Sequence, residues 1–491
     1  MPEERLVAPT LLICADASPE IGMGHVMRTL ALAQAWRAAH GRAVFSTAAP
    51  APLLARLRSE GFEVAERNAP VRSAAEWLPV AAACAPDWIV LDGYAFDVDF
   101  SCALRCAGYR VLQVDDYLHQ PAYEADILLN TCFGVEPERY AINPDARLLL
   151  GPRYALLRQD FAARRPPPRD FSGSPLRVLV TMGGADPGNV TLAVLRSLAG
   201  LRLPDVRISV LMGPVNPHRE VVRKFLESAP LAAMWLENVS DMAKTLFEDT
   251  DFVVSSASST CFEIAYAGLP FAAIQTADNQ RLMAEALERS GAAIVLPARE
   301  PEVWAQRLRQ VLGDRSRLRQ MAAQTAFVDG QGARRVASEM KSRLIRLRPA
   351  APADRDDLFA WRNHPSVRKY SRDAGEIPYA AHCRWFARAL DDAARHVLVA
   401  EVGKRALGVL RFDEDRAGQT AEISIYLTPD MQGQGWGDAL LLAGIDWCRA
   451  HLELRGLTAE ILPGNERSAT IFARAGFSGG AGGWHLRLED A

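Results

Sequence analysis

The sequence lacks the cysteine patterns that mark disulfide-rich and metal-binding proteins. Its eight cysteines include no Cys-x-x-Cys pair and no cluster of Cys and His at metal-ligand spacing. Such isolated cysteines are typical of reduced, mostly buried thiols in a cytoplasmic protein. We therefore expect a cytoplasmic location and no metal ion as cofactor.

Long apolar runs and clustered positive charge are missing as well. No segment is apolar enough over its length to cross a bilayer, and no secretory signal stands at the start. The 56 Lys and Arg residues are scattered and nearly balanced by 59 Asp and Glu, for a net charge of −3. This predicts neither a membrane nor a nucleic acid as partner.

What the sequence contains is the composition of a globular protein with several domains. Hydrophobic residues make up 49% and charged residues 23% of 491 positions, both usual for soluble proteins. A chain of this length divides into about three domains of common size. It contains no low-complexity tract and no solenoid repeat, and nothing in it indicates an oligomeric state.

The first third alternates short apolar strands with helical stretches. The predicted strands are Leu11–Cys14, Ala43–Phe45, Trp88–Leu91, Val111–Val114 and Ile127–Leu129. This alternation predicts a parallel sheet covered by helices, for which we set the bounds 1–165. A linker rich in Pro and Arg follows at residues 164–169.

The same pattern begins again after the linker and predicts a second lobe at residues 170–340. Its strands include Arg177–Thr181, Ile208–Leu211, Asp251–Val254 and Phe271–Ile274. Two doubly wound lobes create a cleft between the carboxyl ends of their strands, where such sheets bind ligands. We expect the glycine loops of the two lobes to face each other across that cleft.

In residues 345–491 the predicted strands follow one another instead of alternating with helices, which predicts an α+β domain. Four adjacent strands, Ile345–Arg348, His396–Ala400, Ala406–Leu410 and Ala421–Leu427, form a meander with helices before and after it. The whole chain is thus predicted to be α/β, with two doubly wound lobes followed by an α+β domain.

Gly22-Met23-Gly24-His25 is the most informative motif, because it joins a buried strand to the start of a helix. Glycines allow the backbone to approach a ligand, and the N–H groups of a helix start attract phosphate. A neutral His beside a bound anion can deprotonate water. The alternative, a tight turn whose His caps the helix, has equal weight from the motif alone.

Three further polar clusters follow predicted strands and therefore lie at the same cleft. Asp92 and Tyr94 could orient a sugar, and Asn279 could bind a sugar hydroxyl or the catalytic water. Hydroxyls at Ser258, Ser259 and Thr260 suit a pyrophosphate, and Glu263 could hold two ribose hydroxyls. Each cluster can also be read as helix caps.

Together these motifs resemble the UDP-sugar hydrolase of pseudaminic acid biosynthesis. The resemblance rests on Asp16-Ala17-Ser18, Gly22-x-Gly24-His25-Val26, Asp92-x-Tyr94, Val114-Asp115-Asp116, Asp126 to Asn130, Gly151-x-x-Tyr154-Ala155-Leu156, Met182-Gly183-Gly184-Ala185-Asp186 and Asp278-Asn279-Gln280. These motifs cover nearly all of residues 10–335. Cys14, where relatives commonly have Arg, and a uridine loop poor in glycine depart from the pattern.

The resemblance implies the two-lobed GT-B fold and hydrolysis of UDP-2,4-diacetamido-2,4,6-trideoxy-β-L-altrose to UDP and the free sugar. It makes His25 the base or water-orienting residue, with Tyr94 and Asn279 lining the sugar pocket and residues 255–263 holding UDP. The remaining substrate-binding residues are Asp16, Gly22, Gly24, Asp92, Gly183, Gly184 and Gln280.

The last domain resembles the GNAT acetyltransferases, whose co-substrate is acetyl-CoA. The resemblance rests on a loop that opens the predicted helix Asp438–Ala450 and on Asn465 with Ser468 downstream. Successive N–H groups in such a loop can bind a pyrophosphate. The loop consists of Gln432, Gly433, Gln434, Gly435, Trp436 and Gly437.

The start of this domain also resembles the acetyltransferase of the same pathway, which acetylates the 4-amino group of the UDP-sugar. The resemblance rests on Trp361-Arg362-Asn363, Val367-Arg368 and His382-x-x-Trp385-Phe386. By that resemblance Arg362 and Asn363 lie on the acceptor side. Glu422 is the candidate base, although a solvated edge glutamate is equally consistent. Phe472 stands where many relatives have a proton-donating Tyr, so either another group such as Tyr426 or water serves as the acid, or the thiolate departs unassisted.

Three alternatives remain open at this stage. The two lobes could form a glycosyltransferase, the sugar could be of the legionaminic type, or the last domain could be a sensor without catalytic activity. UDP-sugar and acetyl-CoA are the expected small-molecule partners in the leading interpretation.

Overall fold

The computed structural model describes residues 8–18, 21–201, 205–213, 216–237, 239, 241–415, 417–480 and 483–488. These residues form two compact units. The first unit contains residues 9–37 and 41–336, and the second contains residues 38–40 together with those from 337 onward. No helix among the described residues combines the length and apolar character of a membrane span.

The first lobe is a seven-stranded sheet in the order β3-β2-β1-β4-β5-β6-β7, with every neighbouring pair parallel. Its elements are β1 (Thr10–Ala15), α1 (Gly24–Ala38), β2 (Arg42–Thr47), α2 (Ala51–Ser59), β3 (Glu63–Glu66), α3 (Ala74–Cys84), β4 (Trp88–Asp92), α4 (Val98–Cys106), β5 (Val111–Val114), β6 (Ile127–Asn130), β7 (Arg147–Leu150) and α5 (Gln159–Ala162).

The second lobe is a six-stranded parallel sheet in the order β10-β9-β8-β11-β12-β13. Its elements are β8 (Leu176–Thr181), α6 (Val190–Ala199), β9 (Val206–Leu211), α7 (Arg219–Ser228), β10 (Ala233–Leu236), α8 (Met242–Glu248), β11 (Phe252–Ser256), α9 (Thr260–Tyr266), β12 (Phe271–Ile274), α10 (Arg281–Ser290), β13 (Ala293–Leu296), α11 (Trp304–Leu312), α12 (Arg315–Ala323) and α13 (Gly332–Ser342).

The third sheet, in the second unit, is mixed and ordered β14-β15-β16-β17-β18-β20-β19, with only β17 and β18 parallel. Its elements are β14 (Ile345–Pro349), α14 (Arg355–Asn363), α15 (Pro365–Arg368), α16 (Tyr379–Asp391), β15 (Arg395–Val402), β16 (Arg405–Asp415), β17 (Thr420–Leu427), α17 (Gly437–His451), β18 (Gly456–Ala459), α18 (Glu466–Arg474), β19 (Ser478–Gly480) and β20 (Gly483–Arg487).

The predicted fold class is confirmed: two Rossmann-like lobes, as in GT-B proteins, precede a mixed-sheet domain. Strands β1, β4, β5 and β6 are buried along their whole length, which explains their continuous apolar runs. Each sheet lies inside one of the predicted ranges 1–165, 170–340 and 345–491. The boundaries themselves stay predictions.

Sheet order also fixes where ligands can approach the two lobes. In the first lobe the order reverses between β1 and β4, and in the second between β8 and β11. Loops that leave the carboxyl ends of strands on either side of such a reversal diverge and leave a crevice. The loops after β1 and β4 carry His25 and Tyr94, and those after β8 and β11 carry Gly184 and Ser259.

Candidate functional site

His25 and Asp92 form a buried pair at the sheet reversal of the first lobe. His25 is the second residue of α1, Asp92 ends β4, and Nδ1 lies 2.6 Å from Oδ1. Burial opposes ionisation of Asp92, but the charges and hydrogen bonds of Arg28 and His25 outweigh it and lower its pKa to about 2. The ionised carboxylate only accepts, so Nδ1 carries the proton and Nε2 has the lone pair in neutral imidazole.

Arg28 joins this pair to a second carboxylate, that of Asp116; Arg28 was not among the predicted residues, and Asp116 was quoted in a motif without a role. Its guanidinium donates to both oxygens of Asp92 at 2.6 Å and to both oxygens of Asp116 at 2.5 and 3.0 Å. Arg28 stands one helical turn after His25, and Asp116 follows β5 as Asp92 ends β4. Position after a buried strand was the signal that could have identified Asp116.

Tyr94 and Asn279 connect the two lobes at this site. The Tyr94 hydroxyl donates to Asp116 Oδ2 at 2.7 Å and accepts from Asn279 Nδ2 at 2.6 Å. Burial raises the pKa of Tyr94, which keeps the phenol protonated as a donor. The Tyr94 ring packs edge-on against His25, with centroids 5.0 Å apart. The structure thus brings His25, Asp92, Tyr94 and Asn279 together, as their positions after strands predicted.

One polar atom in this cluster lacks a partner. Asn279 Oδ1 is buried and has no hydrogen bond within the described part of the chain. A buried carbonyl oxygen without a donor costs about 1–3 kcal/mol. The atom is therefore available to a hydroxyl or amide N–H of a ligand in the cleft.

The glycine loops of the two lobes meet, as predicted. A Cβ added to Gly184 would lie 2.9 Å from Met23 Cε, and one added to Gly24 would lie 3.9 Å from Ser259 Oγ. Gly22 and Gly183 adopt φ values of +78° and +81°, which favour glycine. The two loops are thus in van der Waals contact, and the positive φ of Gly22 and Gly183 is what requires glycine in them.

Two predicted ligand-binding residues, Asp16 and Gln280, form side-chain hydrogen bonds within the protein itself. Asp16 Oδ1 accepts from Ala48 N at 2.8 Å and from Arg67 at 2.5 Å, which holds the loop after β1 against β2. Gln280 Oε1 accepts from Thr276 N at 2.8 Å and closes a turn. The structure gives these two side chains positioning roles, with the site itself formed by their neighbours.

The uridine-side residues cluster at the start of α9. Thr260 begins this helix, and Ser258 Oγ accepts from Ser256 Oγ at 3.1 Å. Glu263 Oε1 accepts from Arg158 Nη2 at 3.1 Å and Nε at 3.2 Å. Burial raises the pKa of Glu263, although the charge of Arg158 opposes this effect.

Asp115, next to Asp116, serves the fold of the first lobe. It accepts hydrogen bonds from Tyr123, Tyr140 and Asn130 at 2.7–2.9 Å. Burial raises its pKa, but hydrogen bonds from His119 and the two tyrosines outweigh this and lower it to about 2. No hydrogen bond among the described residues joins Asp115 to His25.

In the second unit, the parallel pair β17 and β18 separates after a short ladder. Pairing runs from Thr420↔Gly456 to Glu422↔Thr458, and β17 then continues to Leu427 paired only with β16. The predicted loop, residues 432–437, follows β17 and leads into the 15-residue helix α17. Gly433 and Gly435 have φ values of +79° and +68°, so the loop depends on glycine.

The side chains of the loop contribute mainly to its own structure. Gln432 and Gln434 donate to the carbonyls of Leu427 and Asp430 at 3.4 and 2.7 Å. Trp436 is buried in the core, and Gly437 is the first residue of α17. Backbone N–H groups of Gly435 and Trp436 have no acceptor within the residues described. These N–H groups, rather than side chains, fit an anionic ligand.

The predicted acceptor-side residues divide into two groups. Asn363 is a structural residue, because its amide exchanges two hydrogen bonds of 2.9 Å with the backbone of Ile377. Arg362 donates to Ser371, and burial lowers its pKa. Glu422 accepts from Arg372 at 2.8 Å.

Asn465 and Ser468 form the N-cap of α18, where Asn465 Oδ1 accepts from Ser468 N at 3.2 Å. The sequence resemblance had assigned these two residues to cofactor binding, and in the structure they cap the helix. Phe472 is buried with its ring 4.9 Å from that of Phe477. Tyr426 lies on β17, and burial raises its pKa.

No group of three or more His, Cys, Asp or Glu side chains within the described ranges could hold a metal ion.

The two parts of the chain are similar to different known proteins. Residues 344–478 match the acetyltransferase (GNAT) domain family. A protein of Methanocaldococcus jannaschii without an assigned function is 23% identical over 487 residues, covering 95% of this chain and 96% of its own. The UDP-2,4-diacetamido-2,4,6-trideoxy-β-L-altropyranose hydrolase of Campylobacter jejuni is 25% identical over 289 residues, covering 57% of this chain and 97% of its own.

Bacillus subtilis SpsG, a spore coat polysaccharide biosynthesis protein, is 28% identical over 177 residues, covering 35% of this chain and half of its own. Among solved structures, Acinetobacter baumannii MurG aligns with 68% of this chain and 99% of its own at 17% identity, with a TM-score of 0.48. The chain thus carries a C-terminal GNAT domain fused to a two-lobed part that is homologous to the Campylobacter hydrolase and to SpsG.

Proposed function

We propose that the chain is a bifunctional nucleotide-sugar enzyme. The two lobes hydrolyse UDP-2,4-diacetamido-2,4,6-trideoxy-β-L-altrose to UDP and the free sugar. The GNAT domain transfers an acetyl group from acetyl-CoA to the 4-amino group of the UDP-sugar precursor. The observation that carries the hydrolytic half is the His25–Asp92 pair, set at a helix start where glycine loops from both lobes meet.

The chemistry of this pair fits water activation. Asp92 fixes the tautomer with Nε2 unprotonated, and Nε2 makes no hydrogen bond within the described part of the chain. Nε2 can accept a proton from water, and Asp92 stabilises the imidazolium that forms. UDP is a good leaving group, so positioned water and stabilisation of the departing diphosphate supply most of the acceleration.

Tyr94 and Asn279 would contact the sugar. Tyr94 is held by Asp116, and Asn279 has a buried oxygen without a donor. A sugar acetamido N–H or hydroxyl supplies the donor that this oxygen lacks. The homology to the Campylobacter hydrolase supports this choice of substrate.

The hydrolytic half is tested by incubating the purified chain with the UDP-sugar in H₂¹⁸O and no acceptor. We expect UDP and free sugar in equal amounts, with ¹⁸O in one product identifying the cleaved bond by mass spectrometry. A glycosyltransferase would release little free sugar. His25→Asn should lower turnover by about two to four orders of magnitude while UDP still binds.

The acetylating half rests on the GNAT domain and on the loop 432–437. Loop N–H groups and the start of α17 suit the pyrophosphate of acetyl-CoA. Glu422 on β17 would take the proton from the sugar ammonium, and Tyr426, on the same face of β17, would supply one to the thiolate. Acetyl-CoA brings the activated acyl group.

This half is tested by following thiol release from acetyl-CoA with the UDP-4-amino sugar as acceptor. The matched control is the same sugar already acetylated at the 4-amino group. Thiol release only with the free amine supports the proposal. Release with neither sugar would indicate a domain without catalytic activity.

A further inference from the structure

Among the described residues of the second unit, Lys341 is the most buried cation that the proposed chemistry does not use. It lies near the end of α13 and is 1% exposed. Its Nζ donates to the carbonyls of Ala39, Gly435 and Gln434 at 2.8, 3.2 and 3.3 Å. It also lies 3.9 Å from the centroid of the Trp436 ring. All of these residues belong to one compact unit.

The partners of Lys341 are unusual for a buried ammonium. Within the described residues its acceptors are all backbone carbonyls, and none is a carboxylate. Burial without a counter-charge lowers the pKa of Lys341 to about 7. Burying an ammonium without a counter-charge is unfavourable, which suggests that Lys341 has a function. Two of its three acceptors, the carbonyls of Gln434 and Gly435, lie in the loop 432–437.

Peptide geometry connects these acceptors to the ligand side of the loop. The C=O of one residue and the N–H of the next point in opposite directions across a planar trans peptide. Carbonyls of Gln434 and Gly435 that face Lys341 therefore direct the N–H groups of Gly435 and Trp436 away from it. Those N–H groups have no acceptor within the described residues.

The loop 432–437 also packs against the segment 38–40 on the side that faces Lys341, and this packing restricts rotation of its peptide planes. A Cβ on Gly435 would lie 2.8 Å from Ala39 Cα, so the loop backbone contacts the segment 38–40 directly. The φ of +68° at Gly435 allows the chain to turn there. Lys341 and this contact together fix one face of the loop and leave the opposite face open to a ligand.

We propose that Lys341 is a positioning residue that orients the N–H groups of Gly435 and Trp436 toward the diphosphate of coenzyme A. The inference rests on the proposed function, because it takes the loop 432–437 as the coenzyme A site. Lys341 itself does not touch the ligand in this arrangement. It acts through the two peptide planes that it holds.

The test compares Lys341→Met with Lys404→Met in the full-length chain. Met removes the ammonium and keeps the length of the aliphatic stem, and Lys404 is an exposed lysine of the same domain. Calorimetry with coenzyme A should show a dissociation constant raised at least about tenfold in Lys341→Met and unchanged in Lys404→Met. In turnover, KM for acetyl-CoA should rise while kcat at saturation stays within about threefold.

Lys341→Gln provides the conservative comparison, because its amide keeps two N–H donors without the charge. We expect its dissociation constant to fall between those of the wild type and Lys341→Met. Equal affinity of the wild type and Lys341→Met would overturn the inference and leave the proposed function standing. A wild-type chain that does not bind coenzyme A would overturn the proposed site, and the inference with it.

A spectroscopic measurement decides the matter if Lys341→Met does not fold. The chain has only five lysines, at positions 224, 244, 341, 369 and 404. Labelling with [ε-¹³C]lysine therefore gives five signals, of which that of Lys341 is assigned by its absence in Lys341→Gln. Coenzyme A should shift this signal more than the other four, and an unshifted Lys341 signal would overturn the inference.

Discussion

Asp92→Asn is the change that tests the proposed hydrolytic site most directly. The substitution keeps the size of the side chain and removes the charge that Arg28 and His25 share. The usual Asp pKa of 3.8 and the folded value of about 2 differ by an interaction free energy of about 2.5 kcal/mol. This figure is the net of unfavourable burial and of favourable contacts with two partners, of which Arg28 contributes the larger part, so it gives only the order of magnitude of what His25 gains from Asp92.

In rate terms the full 2.5 kcal/mol corresponds to about 70-fold. An amide at position 92 also offers an N–H where the carboxylate only accepted, which favours the imidazole tautomer protonated on Nε2. That tautomer cannot take a proton from water, so the loss can approach about 10⁴-fold. We expect kcat for UDP release to fall by at least about tenfold, measured by chromatographic quantification of UDP.

The control for Asp92→Asn is Asp115→Asn, which removes another buried carboxylate of the same lobe. Asp115 also has a pKa of about 2 but bonds to Tyr123 and Tyr140 instead of His25. Asp115→Asn should lower the melting temperature and leave kcat per folded molecule within about threefold of wild type. The reasoning is refuted if Asp92→Asn keeps wild-type kcat, or if both variants lose activity equally in folded protein.

Three further predictions follow from the same contacts. Asn279→Ala should raise KM for the UDP-sugar about tenfold in steady-state assays, because Tyr94 loses its donor from the second lobe; an unchanged KM would remove Asn279 from the sugar site. Glu422→Gln should lower kcat for acetyl transfer by about two orders of magnitude with KM for acetyl-CoA unchanged; a change in KM alone would make Glu422 a structural residue. The pKa values of Asp92 and Asp115 are lower in the folded chain, so the stabilisation from these two carboxylates is present above about pH 4 and is lost as pH falls to about 2. Near-UV circular dichroism should therefore show that wild type loses stability more steeply over this pH range than the double Asn variant does.

The fold of the lobes could be predicted because their central strands are buried on both faces. Such strands appear in the sequence as short apolar runs between helical segments, as Ile89–Leu91 does in β4. Strand β3 (Glu63–Glu66) was not predicted, because it is an edge strand that is only partly buried and ends in charged residues. A strand with one neighbour and exposed side chains has no apolar pattern to detect.

The site was predicted in part for a related physical reason. Carboxyl ends of parallel strands meet at one edge of a sheet, so a polar residue just after a buried strand is placed there by topology alone. Asp92, Tyr94 and Asn279 were identified in this way, and His25 by the glycine motif at the start of a helix. It could not identify Arg28, because an arginine on a helix is usually solvated, and only the folded chain shows it between Asp92 and Asp116.

The ion pair of Glu263 and Arg158 is the point where the sequence and the structure differ in an informative way. The sequence assigned Glu263 to the ribose of UDP, and the folded chain gives it an arginine 105 positions away. Both hydrogen bonds from Arg158 go to Oε1, and neither involves Oε2. A carboxylate in a partly buried site needs a cation to stay ionised, since burial raises the pKa of Glu263. Under the proposed function, Arg158 holds Glu263 through Oε1 and we expect Oε2 to accept a ribose hydroxyl of UDP, so that the ion pair supports nucleotide binding and does not compete with it.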